Sequence, residues 1–289
     1  MSTGGSCGGA NYKCWRSRRA HFCLGQRGRS RNRQLNGDDS ACSTLSALCI
    51  RHPPSETCAM PRDLPVGNGE LMVAFDDRYQ ARDLFWPRVG MPNHAQGYPQ
   101  RLGFWVDGQF AWVDDDEWQR DLRYKPETLA TDCLLRHDGL GIAVRCSDVV
   151  DYHSPVWFRS FEVEDLTGKM RDARIFIHHD LSIDASPVGD TAYFDPELQG
   201  VVHYKDQRWF LVAGEDPLRY GVEHFTTGTK RIGDAEGTWR DAEDGHLSRN
   251  PIAQGSVDST VGFHLHVPAG GVARATVWLA CGDSREALV

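Results

Sequence analysis

The residues whose types most invite chemistry are His178-His179-Asp180, a histidine pair with a carboxylate of the kind that binds metals or moves protons. Adjacent side chains of a strand point to opposite faces. Ile175, Ile177, His179 and Ile183 therefore share one face, and His178 and Asp180 the other. The expected arrangement is a hydrogen-bonded structural His179 and a surface His178–Asp180 pair, not a metal centre. Asp114-Asp115-Asp116-Glu117 offers oxygen ligands suited to Ca²⁺, but a calcium loop spaces its ligands and includes a tight-turn glycine, so this run reads as a solvated turn. Gly67-Asn68-Gly69 has neither the glycine spacing nor the following helix of a phosphate loop and reads as a turn into a strand over 71–75. The expected functional surface is the loop 82–96. There Arg82, Asp83, Arg88, Asn93 and His94 mix with Pro87, Gly90 and Pro92 in a long polar segment that a core does not require. Trp86, Trp105, Trp112 and Trp118 could stack on sugar rings or fill a core; the hairpin that holds Trp105 and Trp112 is apolar on its other face, which favours the core.

The elements that must position these groups are strands. Residues 103–106 and 109–113 are aromatic, β-prone runs joined by Asp107-Gly108, a dipeptide that accepts positive φ in a two-residue turn. Residues 129–136 and 140–146 flank a second turn, and 156–163 and 173–183 flank a third at 166–169. Strand character returns at 200–204, 209–213, 260–267 and 273–279. Only 217–224 and 235–242 read as helical, together with a turn of helix begun at Asp283 and Glu286, which have capping-box spacing. Many short strands without crossover helices predict an all-β fold, a large antiparallel β-sandwich.

The chain has 289 residues and a net charge of −8, with an asymmetry inside it. Residues 1–59 carry a balance of +6 and residues 60–289 one of −14. Six of the nine cysteines, at 7, 14, 23, 42, 49 and 58, fall in the basic part. Their gaps of six and eight residues are too open for the short paired loops of zinc modules. The first 59 residues read as a disordered leader, and the cysteine-poor remainder suits the reducing cytoplasm. No apolar run is long enough to span a bilayer, and a basic arm without a recognisable module, ahead of an acidic body, argues against a nucleic-acid partner.

Several longer motifs are familiar. Residues 60–69 (MPRDLPVGNG), 82–90 (RDLFWPRVG), Asn93-His94, 118–124 (WQRDLRY), 176–180 (FIHHD), 189–193 (GDTAY) and 203–205 (HYK) occur in the order seen in bacterial glucoamylase-type enzymes of glycoside hydrolase family 15. Residues 60–289 resemble their amino-terminal domain. The resemblance implies a super-sandwich that precedes a helical barrel carrying the two catalytic glutamates of an inverting α-glucosidase or trehalase. By that resemblance the chain has no catalytic residue of its own and needs no metal or cofactor. Its partner is the helical catalytic domain, through which an α-glucan or disaccharide substrate is met. Arg82, Asp83, Arg88, Asn93 and His94 then belong to the pocket rim or domain interface. The acidic residues are expected in solvated turns, with none held protonated near neutral pH. The alternative is a free-standing carbohydrate-binding module, which needs a flat row of exposed tryptophans.

Overall fold

A computed structural model describes residues 63–96, 98, 100–230 and 237–289. The expected disorder of residues 1–59 lies outside the described residues. The strands, β1 to β18 in chain order, pair into three sheets. The smallest contains β1 (Leu64–Gly67), β2 (Met72–Phe75) and β3 (Ala81–Phe85). A five-stranded sheet runs in the order β15 (His224–Thr229), β17 (Val257–Val267), β10 (Arg171–His179), β4 (Arg101–Val106) and β5 (Gln109–Trp112). A ten-stranded sheet runs β16 (Ile252–Gly255), β11 (Asp190–Asp195), β12 (Gly200–Lys205), β13 (Arg208–Asp216), β18 (Val272–Gly282), β9 (Val156–Asp165), β8 (Ile142–Val150), β7 (Thr131–His137) and β6 (Gln119–Tyr124). The short β14 (Arg219–Tyr220) pairs with β13.

The two larger sheets pack face to face, as predicted. Phe104, Ile175, Ile177, Val261 and Phe263 of the five-stranded sheet share one apolar cluster with Cys146, Phe161, Val163, Phe210 and Val277 of the ten-stranded sheet. Period-two alternation supplies both inner faces. The β4–β5 turn is the one the sequence predicts, with Asp107 and Gly108 both at positive φ, 48° and 92°. The turn at 166–169 does something less obvious. It carries the chain from β9 in the ten-stranded sheet to β10 in the five-stranded one. Burial alone would raise the pKa of Asp165 there, but the N–H groups of Gly270, Thr167 and Lys169 and the Thr167 hydroxyl hold its carboxyl well below the usual range.

The three helical expectations fail locally. Residues 217–224 contain β14, because Asp216 Oδ1 accepts the N–H groups of Leu218 and Arg219 and closes a tight turn. Of 235–242, residues 235 and 236 lie outside the described residues, and Thr238–Ala242 is a 3₁₀ turn. Near the end, Glu286–Leu288 is also 3₁₀; Ser284 Oγ, not Asp283, accepts the Ala287 N–H at 3.3 Å, so the Asp283 capping box does not form. This segment is instead anchored by Arg285, which donates to Asp195 and Glu197, and by Leu288, which is buried.

Candidate functional site

The loop 82–96 starts inside β3 and is braced from within. Arg82 donates to Asp63 and Asp83, each at 2.6 Å. Asn93 donates to Asp83 Oδ1 at 2.6 Å, and its own Oδ1 accepts the N–H groups of Leu84 and Ala95. His94 is fully buried, against Phe210. Its Nε2–H donates to the Trp86 carbonyl at 2.8 Å, and its Nδ1 accepts the Asp184 N–H at 3.0 Å. That pairing requires one protonated and one bare nitrogen, so the ring is neutral. Burial, which penalises the charged ring, lowers its pKa, against the Trp86 carbonyl, which raises it. The tip is different: Arg88, Val89, Gly90, Met91 and Pro92 are exposed, and the Arg88 guanidinium meets no partner among the described residues.

His94 therefore cannot be a rim group that is removed without cost. An alanine there would leave the Trp86 carbonyl and the Asp184 N–H unpaired and a hole against Phe210. Arg82, Asp83 and Asn93 form one bonded group, and Arg88 stands apart on the tip.

The loop docks on the segment that follows β10. Ser182 N–H donates to the His94 carbonyl, and Ile183 N–H donates to Asp190 Oδ2 at 3.1 Å. Asp184, at φ 55°, binds Arg208 at 3.2 Å, and Arg208 lies over the Trp86 ring. Behind this contact is a buried polar group. Lys230 donates to Asp180 and to the Leu181 carbonyl, and Lys205 pairs with Asp190 at 3.4 Å. His178 donates to Asp258 at 2.9 Å, and His203 Nε2 bonds Ser259 Oγ at 2.7 Å. His178 and His179 do point to opposite faces of β10, but the expected surface pair of His178 and Asp180 is wrong. Both residues are buried, and each has a different partner. On the outer face of β10, Ala242 and Leu247 pack on Phe176 and Trp112, Thr238 and His178 share Asp258, and Lys230 meets Asp180.

Burial sets the charge states here. It pushes His203 down to about 3 and His179 well below the usual histidine value. It pushes Asp190 up to about 6, against the Ile183 N–H and Lys205, which lower it. Burial also raises Asp258, yet the His178 imidazole and the Thr238 N–H outweigh it and hold that carboxyl below the usual range. Asp190 departs from the ordinary carboxyl range, with a pKa of about 6, yet it is mostly ionised at pH 7, where it pairs with Lys205. At 1 % exposure it cannot touch a sugar and is a structural acid. On the surface, Asp132 and Glu162 share a depression, but Arg145 and Arg123 pair with the first and Arg274 with the second. Neither has the apolar enclosure of a general acid. Asp114–Glu117 is a largely exposed turn, as expected.

Asp184, Arg208, Lys230, Asp258 and Ser259 carry no sequence signal that groups them. Only pairing brings them together, though three of the motifs, at 176–180, 189–193 and 203–205, contribute to the same end of the sandwich as the loop. Trp86, Trp112 and Trp118 are at most 6 % exposed and Trp105 is half-buried under Arg174, so these four make no flat exposed row.

Comparison with solved structures places this architecture. A bacterial glucoamylase complexed with acarbose superposes with a TM-score of 0.58 at 9 % identity, covering 76 % of this chain. The chain has the sandwich fold of a glucoamylase. It spans 31 % of the length of that enzyme. A putative kojibiose phosphorylase from the human microbiome overlaps 75 % of the chain and 29 % of its own, with a TM-score of 0.44 and 6 % identity. No family model and no curated protein matches the sequence. Among the described residues no helix is long and apolar enough to cross a membrane.

Proposed function

We propose that this sandwich is a non-catalytic domain of a glycoside hydrolase of glucoamylase, glucan α-glucosidase or trehalase type. It supports a helical catalytic domain and lends that domain part of its pocket rim. One observation carries the reading: a rigidly braced loop presents an exposed tip, in a fold shared with a third of a glucoamylase. The tip is Arg88 to Pro92, with Val89 at 50 % and Met91 at 36 % exposure. Bracing by Asp83, Asn93 and His94 fixes the tip, so little ordering entropy is lost when a neighbour packs on it. A cytoplasmic location belongs to the same proposal, supported by Cys133 and Cys146, which face each other across β7 and β8 as free thiols.

The test uses the chain joined to a helical catalytic domain of this type. V89D together with M91D should lower kcat/KM on maltose or trehalose about tenfold. Melting of the sandwich should stay within about 0.5 kcal/mol of the parent, because both side chains are solvent-facing. Unchanged kinetics on both substrates would remove the rim role.

A carbohydrate-binding module remains the second reading because of a different aromatic set. Tyr193, Trp209 and Trp278 lie half-buried on the face of the large sheet turned away from the core, with Tyr204 stacked on Trp209 at 4.3 Å. Retardation of the chain in an amylose gel, lost in W209A, would decide for that reading.

A further inference from the structure

The outer face of the five-stranded sheet holds a cluster that the proposed function does not use. His264 and His266 are two apart on β17, so they project from the same face. Asp172 on the adjacent β10 is the cross-strand partner of His266. The imidazole rings are 4.6 Å apart, and one ligand atom from each of the three residues lies within 4.8 Å of the others. His264 Nε2–H donates to Asp172 Oδ1 in a close, charge-assisted contact.

We propose that Asp172, His264 and His266 form a binding site for a divalent transition-metal ion of the Zn²⁺ or Co²⁺ kind. Imidazole nitrogen with one carboxylate is a donor set these borderline ions favour over Ca²⁺ or Mg²⁺, which prefer oxygen alone. The ion takes the place of the proton that His264 now shares with Asp172. The Nε2 proton moves to Nδ1 by way of solvent, so the ring stays neutral and Nε2 turns from donor to ligand. Ligands on one tetrahedral ion stand about 3.3 Å apart, by the usual metal–ligand lengths. The three atoms must therefore draw in, and His266, exposed at the open edge of β17, is able to rotate.

The carboxylate is set in advance. Asp172 N–H donates to Asp107 Oδ1 at 2.9 Å, and Arg171 holds Asp107. Arg174 approaches the other Asp172 oxygen, Oδ2, at 3.7 Å and leaves Oδ1 to the ion. Outer partners of this kind orient a metal's ligands. Three protein ligands leave at least one position open toward the depression formed with Leu218 and Arg274.

The six cysteines of residues 1–59 are potential ligands too, so the test must separate thiolate from imidazole. The reduced full chain is titrated with Co²⁺ and followed by visible absorption. The expected result is a saturable d–d spectrum, one ion per chain, without the near-ultraviolet band of cobalt–thiolate bonds. Affinity should fall at least about tenfold in H266A and in D172N. H246A, which alters an exposed histidine outside the cluster, should leave it unchanged. H266A should also keep the melting temperature of the metal-free chain, since the side chain is exposed. Binding of equal strength in H266A and the parent, or a spectrum made of thiolate bands alone, would overturn the site.

Discussion

Asp148→Ala is expected to destabilise the protein by about 3–5 kcal/mol, the range for removing one partner of a buried ion pair. Asp148 is fully buried on β8 and accepts from Thr131 Oγ1 at 3.0 Å, Arg159 Nε at 3.0 Å, Trp157 Nε1 at 3.2 Å and the Tyr79 hydroxyl. Arg159 has a side chain 4 % exposed, and its guanidinium lies among the rings of Phe75, Tyr79, Trp157 and Phe161 at 4.8 to 5.5 Å. Removing the carboxylate strands that cation in a medium that cannot solvate it. Urea unfolding at pH 7 measures the loss as a lower midpoint at unchanged slope. The double variant D148A/R159M should recover much of it, because no buried charge is then left unpaired. A loss under about 1 kcal/mol in D148A would contradict the assignment of this pair.

Acid should weaken the fold strongly through its buried histidines. His203 is depressed to about 3 from the usual 6.5. Between these values the unfolded chain binds a proton that the native protein refuses. Stability is therefore complete above pH 6.5 and is lost as pH falls toward 3, by on the order of 5 kcal/mol for this residue. His179 and His94 shift in the same direction. Asp190 acts oppositely. Raised to about 6 from 3.8, it holds a proton in the native state that the unfolded chain has released, so its contribution is complete below 3.8 and lost as pH rises through 6. The two slopes offset one another between pH 6 and 4, leaving a shallow decline there and a steep one below. Urea midpoints measured from pH 7 to 3 check this. H203Q should flatten the profile, and D190N should steepen it between 6 and 4. A parent profile that D190N leaves unaltered would rule out the Asp190 term.

The sandwich was legible because alternation and turn chemistry agree with it over most strands. Asp107-Gly108 and the apolar run of 140–146 each specify their local structure without tertiary help, although β8 extends on to Val150. The polar interior was not legible. Asp148 sits on the inward phase of β8, between Cys146 and Val150, but nothing local says that Arg159 and Tyr79 wait to neutralise it. His178 and Asp180 read as surface residues because β10 looks one-sided in sequence. Their partners come from at least fifty positions away: Lys230 meets Asp180, and Asp258 joins His178 to Thr238. The loop 82–96 was found from its polar content, which did not reveal that its polar residues divide into an internal brace and a free tip. Helical expectations failed where one aspartate or arginine contact decided a short segment, as Asp216 does before β14 and Arg285 does beside Asp195.

The proposed non-catalytic role has a direct chemical consequence. Inverting hydrolysis needs two carboxyl groups roughly 6.5–9.5 Å apart, one kept protonated, across a pocket that holds the sugar and a water. The one acid raised to about 6, Asp190, is sealed inside the fold, and Asp132 and Glu162 are paired with arginines on an open sheet face. The direct measurement is glucose release by the purified chain, at high concentration, from maltose, maltooligosaccharides and trehalose. No release above the buffer blank is expected on any of them. Reproducible release that disappears when a carboxylate within residues 63–289 is changed to its amide would contradict the account.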